Sequence, residues 1–431
     1  MKSPPLSSLR FFSVGSALLL LAASAVQAAP VGAVHALAQR EKPALLATLS
    51  EIVAIESGSR DLAGLSRLAD LLANRLKALG GSVDVIPAGP EIYQMQDTPA
   101  ELGQTVRATF TGTGKTKILL IAHMDTVYPH GSIARQPFRI DGDRAYGLGI
   151  ADDKQGVAVI LHVLAMLQQL NVRDYGTLTV LINGDEEISS PGSRALLTRL
   201  GAEHDAVLSF ESSLAESDKL ALATSGIASV NLTVHGRGAH SGASPEKGVN
   251  ALDELAHQIL QTRDLSEPKL GLKMNWTQAQ AGVTRNMIPP EAVAHADVRV
   301  LRNADYVRIE EKVREKIKNK LLPASEVKVV FERRRPPLEP TTASRALGAH
   351  AQMIYREIDR VLIVDDVAEG GGTDAAFAAL QAKGPVVERL GLRGYGAHST
   401  QDEYVLLDSI EPRLYLATRL ITEIAQGKVK W

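Results

Sequence analysis

Lys117-Ile-Leu-Leu-Ile-Ala-His-Met-Asp-Thr-Val-Tyr128 begins as an unbroken apolar run and ends on a histidine and a carboxylate, just before Pro129. Residues 118 to 122 read as a strand buried on both faces, the signature of a sheet covered by helices. His123 and Asp125 therefore stand where that strand leaves the core, which is where open α/β sheets place ligands.

The pattern on either side agrees with such a sheet. Upstream, residues 38 to 57 and 61 to 79 have helical periodicity, the second closed by Gly80-Gly81, and strands are expected at 82–86 and 106–110. Downstream, Gly147-Leu-Gly-Ile-Ala-Asp-Asp153 is a turn feeding a buried helix over 156–170. A strand at 178–182, a helix near 191–200 and a strand at 206–210 follow. This alternation predicts a mixed, largely parallel α/β sheet flanked by helices. From about Gly226 the order changes to strand, helix, two strands, helix and strand (228–234, 245–262, 275–282, 292–301, 305–322, 326–332), the βαββαβ order of a ferredoxin-like module. Helix and strand patterns of the first kind resume from Ala343, so the module is inserted. The expected division is a signal peptide at 1–28, a first catalytic part at 29–224, an inserted dimerisation or lid domain at 225–337, and a second catalytic part at 338–431.

Composition removes whole classes of function. The 431 residues are 45% hydrophobic and 22% charged with a net charge of −2, enough apolar material for one large core or two smaller ones. Near-neutral charge and only 4% aromatic residues leave no electrostatic footprint for nucleic acid. Lys2 and Arg10 precede an apolar run over 11–23, and Val26-Gln-Ala28 offers the small residues of a cleavage site, so cleavage near Ala28 is expected. No other segment reaches the roughly 20 apolar residues of a membrane span. With no cysteine, neither a disulfide framework nor a thiolate metal knuckle is available. The expected location is periplasmic or secreted.

Each remaining acid has an ordinary reading. Asp152 and Asp153 would cap a helix, and Asn183-Gly-Asp-Glu-Glu187 would be a solvated turn. Taken together these readings fail. Asp152, Asp153, Asp185, Glu186, Glu187 and Glu211 all fall at strand ends or helix starts, as do His123 and His398, so one rim of the sheet collects two imidazoles and five or more carboxylates. Without cations their mutual repulsion would neutralise several of them. Imidazole plus carboxylate, with no thiolate, suits zinc, cobalt or manganese.

His123-Met-Asp125, Gly147-Leu-Gly-Ile-Ala-Asp-Asp-Lys154, Asp185-Glu-Glu187, Gly236-Arg-Gly-Ala-His-Ser-Gly242, Gly370-Gly-Gly-Thr-Asp-Ala375 and His398, in this order from about residue 40 onward, resemble the co-catalytic zinc exopeptidases of the M20 family. Within it the pattern is most similar to bacterial glutamate carboxypeptidases of the carboxypeptidase G type. The resemblance implies two zinc ions per subunit, with cobalt or manganese compatible. One would be held by His123 and Glu211, the other by His398 and Glu187, and Asp152 would bridge them. Three carboxylates against two divalent ions leave a surplus of +1, which favours a bound hydroxide. Asp125 is implied to orient His123 through its other ring nitrogen, and Glu186 to act as general base. His240 is implied to reach the oxyanion across a homodimer interface formed by the inserted domain. Lys219, Asn286, Arg299, Arg333 and Arg335 are implied to grip substrate carboxylates. Gly371, Gly372 and Thr373 would offer backbone N–H groups near one of those carboxylates.

The implied substrates are folate-like and other N-acyl amino acids. The alternatives are an aminoacylase or dipeptidase of apolar preference and a non-catalytic periplasmic binding protein. Gln155, Ala397, Ile188-Ser-Ser-Pro191 and a longer loop over residues 91 to 103 depart from the carboxypeptidase G pattern and bear on pocket shape.

Overall fold

The computed structural model describes Met1 and residues 31–431. The expected signal peptide and its cleavage point near Ala28 lie, except for Met1, outside the described residues.

Lys117–His123 sits inside a six-stranded sheet. Its order is Ser82–Ile86, Thr105–Thr111, Thr177–Asn183, Lys117–His123, Ala206–Ser209 and Val386–Val387. The first two pairings are antiparallel and the other three parallel. Alternation along the strand divides its side chains between two cores. Ile118, Leu120 and Ala122 pack with the helices Gly32–Val53, Gln155–Gln169 and Ile410–Ala425, whereas Leu119 and Ile121 pack with Leu196, Leu197 and Phe377 on the other face. Each fully buried Leu or Ile contributes about 1.5–3 kcal/mol, so an apolar run is what a strand covered on both sides requires. After Lys117–His123 the chain crosses to Thr177–Asn183 on one side, then returns to Ala206–Ser209 on the other. That reversal opens a crevice at the carboxyl ends of these strands.

The second sheet runs Lys273–Ala281, Glu291–Val300, Gly226–His235, Glu326–Arg335, all antiparallel. In chain order this is strand 2-3-1-4, with helices Ala251–Thr262 and Asn303–Lys316 packed on it, the ferredoxin-like arrangement. In Gly226–His235 every second residue is buried, with Ala228, Val230, Leu232 and Val234 facing the helices.

Several helix boundaries differ from expectation, and three of the differences have a clear local reason. The helix expected over 245–262 begins at Ala251, because Gly248 is extended and the Asn250 side chain accepts the Leu252 N–H (3.0 Å). The helix expected to reach 322 stops at Lys316. Beyond it the Asn319 carbonyl turns to accept His257 Nε2 (3.1 Å) and Gln261 Nε2 (2.9 Å) from the neighbouring helix. The first helix ends at Val53, not at 57, and Ser57 Oγ donates instead to the Met124 carbonyl (2.7 Å) beside the crevice. Among the described residues no helix is long and apolar enough to cross a membrane.

Candidate metal centre

The crevice collects side chains from four strand ends. His123 is the last residue of its strand, in register with Asn183 across the parallel pairing, and Glu211 follows Ala206–Ser209 by two residues. Asp152 comes from the turn before Gln155–Gln169, and His398 from a tight loop in which both Gly396 and His398 have left-handed backbone (φ 80° and 67°). A non-glycine residue held in that region is strained, and such strain gathers at functional sites.

The geometry is convergent. His123 Nε2 stands 3.0 Å from Asp152 Oδ1 and 3.3 Å from Glu211 Oε1. His398 Nε2 stands 3.4 Å from Asp152 Oδ2 and 3.2 Å from Glu187 Oε2. Each oxygen of Asp152 thus faces a different imidazole. Asp153 also brings an oxygen close to ligand atoms of His123 and Glu211. It is fully buried and engaged elsewhere, accepting the His123 N–H (3.4 Å) and Gln155 Nε2 (2.7 Å), whereas Asp152 faces the crevice.

The ordinary readings of these acids do not survive. The helix Gln155–Gln169 has no side-chain cap, so Asp152 and Asp153 are not capping it. The turn Asp185-Glu-Glu187 is not solvated, since Asp185 is 1% and Glu186 6% exposed. Burial pushes Glu187 up to about 7, with the charge of Asp152 adding, and raises Glu186 and Glu211 as well. Hydrogen bonds to Asp152 and Glu187 raise His398 to about 10. Burial opposes charging His123, but Glu211, Asp125 and Asp152 outweigh it and hold its imidazole well above the usual range. The cluster therefore retains protons that divalent cations would displace. Glu187 Oε1 is buried without any partner, an orphan lone pair of the kind a cation satisfies.

The residues behind the cluster explain its rigidity. Asp125, fully buried, lies 3.3 Å from His123 Nδ1, and its backbone carbonyl lies 3.1 Å from the same nitrogen. Its carboxylate also accepts the N–H groups of Glu186 and Glu187 (both 3.0 Å) and the Ser59 hydroxyl (2.8 Å). Asp125 thus sets both the imidazole and the two glutamates. Gln155, a departure from the family pattern, donates to Asp153 and to the Phe210 carbonyl (2.9 Å) and accepts the Leu392 N–H, tying the Asp152 turn to the strands beside it.

Sequence reasoning missed Glu403. It is fully buried, and its oxygens accept the N–H groups of Gly149 (2.8 Å), Ala151 (2.9 Å) and Asp152 (3.2 Å) together with the Tyr128 hydroxyl (2.6 Å). Glu403→Ala would strand three backbone donors in the turn that presents Asp152. Denaturant titration is expected to show a loss of about 3 kcal/mol, and a loss under 1 kcal/mol would mean the turn holds itself.

The predicted substrate contacts divide. Lys219, Gly371, Gly372 and Thr373 line a cavity of about 450 Å³ together with Asp152 and Glu211. Arg335, 5% exposed, reaches the centre but is engaged there, pairing with Glu186 and, at 3.3 Å, with Asp374. Arg299 pairs with Asp297 on both oxygens (2.9 and 3.0 Å) and donates to the Gly370 carbonyl (2.9 Å), so it holds the glycine loop from the module side. Arg333 turns away, toward Glu310 (3.3 Å) and over the Tyr306 ring, and does not join the centre. His240 is exposed on a two-stranded ribbon of the module, and Asn286 is exposed in the turn leading into its second strand. There His240 Nδ1 accepts the N–H groups of Gly242 (3.2 Å) and Ala243 (3.1 Å). Among the described residues no ion pair joins His240 to the carboxylate cluster.

The profile of Peptidase family M20/M25/M40 matches residues 119–423. Carboxypeptidase G2 of Pseudomonas sp. (strain RS-16) is 43% identical over 388 residues, covering 90% of this chain and 91% of the relative. Among solved structures, an M20 family metallo-carboxypeptidase of Sulfolobus solfataricus superposes with a TM-score of 0.68 at 17% identity, covering 89% of this chain and 99% of that one. A Bacillus subtilis protein described as a dinuclear metal binding peptidase from the M20 family does so with a TM-score of 0.64 at 14% identity, over 90% and 99%. The chain belongs to peptidase family M20/M25/M40.

Proposed function

We propose that this metallo-carboxypeptidase hydrolyses the amide bond to a C-terminal glutamate, or a similar amino acid, in folate-like and other N-acyl amino acids. The observation that carries the reading is Asp152, whose two oxygens face His123 and His398 separately, as a bridging carboxylate between two ions requires. The donor set of imidazole and carboxylate oxygen suits zinc, cobalt or manganese. In this reading His123 and Glu211 would hold one ion, and His398 and Glu187 the other. Bound there, the two ions supply Lewis acidity, polarising the scissile carbonyl and acidifying a water.

The chain's own residues do the rest. Glu186 takes a proton from the attacking water and returns it to the leaving nitrogen as the C–N bond breaks, giving a carboxylic acid and an amine. Its burial supports that role by raising its proton affinity, while the adjacent Glu187 faces His398. Asp125 keeps His123 in orientation and fixes the backbone of both glutamates. His240 of the partner subunit would complete the oxyanion site in a homodimer built on the four-stranded module. Exposure of His240, and the free edge strand Lys273–Ala281 in that sheet, support this arrangement. The mature enzyme would act in the periplasm or outside the cell.

Turnover of N-acyl glutamate against N-acyl leucine tests the substrate reading. Preference for glutamate by at least tenfold in kcat/KM is expected, since carboxylate recognition by fixed cations discriminates more steeply than an apolar pocket does. Equal or reversed preference would remove glutamate specificity and leave an apolar-selective aminoacylase or dipeptidase.

A further inference from the structure

The cavity beside the centre contains two cations that could hold a substrate carboxylate, and both are already occupied by the protein. Lys219 Nζ donates to Asp365 Oδ2 (3.1 Å) and to Glu369 Oε1, and Arg389 Nη1 donates to Glu369 Oε2 (2.7 Å). One carboxylate, Glu369, therefore spans both cations, the way a bound dicarboxylate's side chain would. Lys219, Asp365, Glu369 and Arg389 all line the cavity that includes Asp152 and Glu211.

These four charges balance one another, and the other charged groups lining the cavity, Glu216 and Glu388 beside Asp152 and Glu211, are acids, so an acidic side chain gains from Lys219 and Arg389 only where it replaces Glu369. Asp365 and Glu369 differ in how firmly they are placed. Asp365 belongs to a strand paired with Lys219–Ala221 and also accepts the Val367 N–H (2.9 Å). Glu369 lies in a loop, with a third of its side chain exposed, and is followed by Gly370 in a left-handed conformation (φ 103°). A Cβ at Gly370 or Gly371 would meet nothing within 4 Å, so the loop is not packed in place there. Its fixed points are backbone carbonyls, Gly370 held by Arg299 and Gly371 by the Ser225 N–H (2.8 Å), so the Glu369 side chain is held by its two cations and not by the packing of the loop.

We propose that Glu369 is a specificity-determining residue that stands in for the substrate's side-chain carboxylate and must be displaced from Lys219 and Arg389 before an acidic residue can bind. This rests on the carboxypeptidase reading for its substrate but not for its geometry. Glu369 weakens acidic ligands selectively and leaves neutral isosteres untouched. Substitution by glutamine removes the competing charge, keeps the side-chain volume, and leaves Lys219 paired with Asp365 and Arg389 without its Glu369 ion pair.

The test is calorimetric binding of L-glutamate and of L-glutamine, its neutral isostere, to the zinc-loaded full-length protein and to Glu369→Gln. The ratio of the two dissociation constants is expected to shift toward glutamate by about tenfold in the variant, the size of one charge-assisted interaction. With N-acyl glutamate the variant should lower KM with kcat unchanged within twofold, because the displaced group takes no part in the chemistry. Double substitution with Lys219→Met should cancel most of the gain. An unchanged or reduced ratio overturns the proposal, as does an equal change for both ligands, which would make Glu369 a loop clamp only. Absence of turnover in the unaltered protein would instead defeat the carboxypeptidase reading, while the binding ratio would still decide the role of Glu369.

Discussion

Glu186→Gln is expected to lower kcat about 10³-fold with metal content unchanged. General acid–base catalysis contributes about 10²–10⁴ in rate, and no other carboxylate in the turn is free to replace it. Asp185 is bound by Gly192 N–H and Ser193, and Glu187 faces His398. Glutamine keeps the shape and the backbone, so the Glu186 N–H still reaches Asp125. It loses the charge that faces Arg335, which retains Asp374 as partner, so the buried guanidinium is not left alone. Steady-state kinetics together with metal analysis of the same sample check this. Loss of both activity and metal would make Glu186 a ligand and would remove the base from the scheme.

Metal removal is the second large effect. Stripping the protein with a strong chelator is expected to abolish turnover, to less than a thousandth of the starting rate, and to lower the unfolding temperature. Two physical consequences follow from the same cluster. Without cations Asp152, Glu187 and Glu211 share one small volume with only His123 and His398 to balance them. Burial then favours protons on Glu187, raised to about 7, and on Glu211, while the two imidazoles hold Asp152 below the usual carboxylate range against its burial. The folded state also loses the stabilisation that any ligand of the native form supplies, several kcal/mol at metal concentrations far above the dissociation constant. Zinc, cobalt or manganese should restore activity and thermal stability together. Full activity in the chelated protein would contradict a metal mechanism. Restored stability without activity would place the metals in a structural site.

Much of this was legible in the chain, because it depends on local signals. Residues 118 to 122 had to be a doubly covered strand, and its polar exit at His123 and Asp125 marked the crevice. Helix and strand alternation gave the sheet and the inserted module because periods of 3.6 and 2 are written in adjacent residues. Contacts made across hundreds of residues were not legible. Glu403 lies in Asp402-Glu403-Tyr404, a stretch with no local pattern that marks burial, and its partners are N–H groups some 250 positions earlier. The arginines 333 to 335 show a different obstacle. A register shift pairs Ile227 with Arg335 but Ala228 with Arg333, leaving Arg334 unpaired in the ladder. This bulge breaks the period-2 rule, so the three side chains separate. Arg333 turns to Glu310, Arg334 to Asp97 (2.8 Å), and only Arg335 to Glu186. Lys219 is implied by the resemblance to grip a substrate carboxylate, and its own carboxylate partners, Asp365 and Glu369, lie some 150 residues further along the chain.

The central claim is a pair of ions bridged by Asp152, and anomalous diffraction at the zinc edge from a zinc-loaded crystal tests it most directly. Two peaks per chain are predicted, one against His123 and Glu211, the other against His398 and Glu187, each touching a different oxygen of Asp152. A single peak, or a second ion held by Asp153 in place of Asp152, would contradict the account.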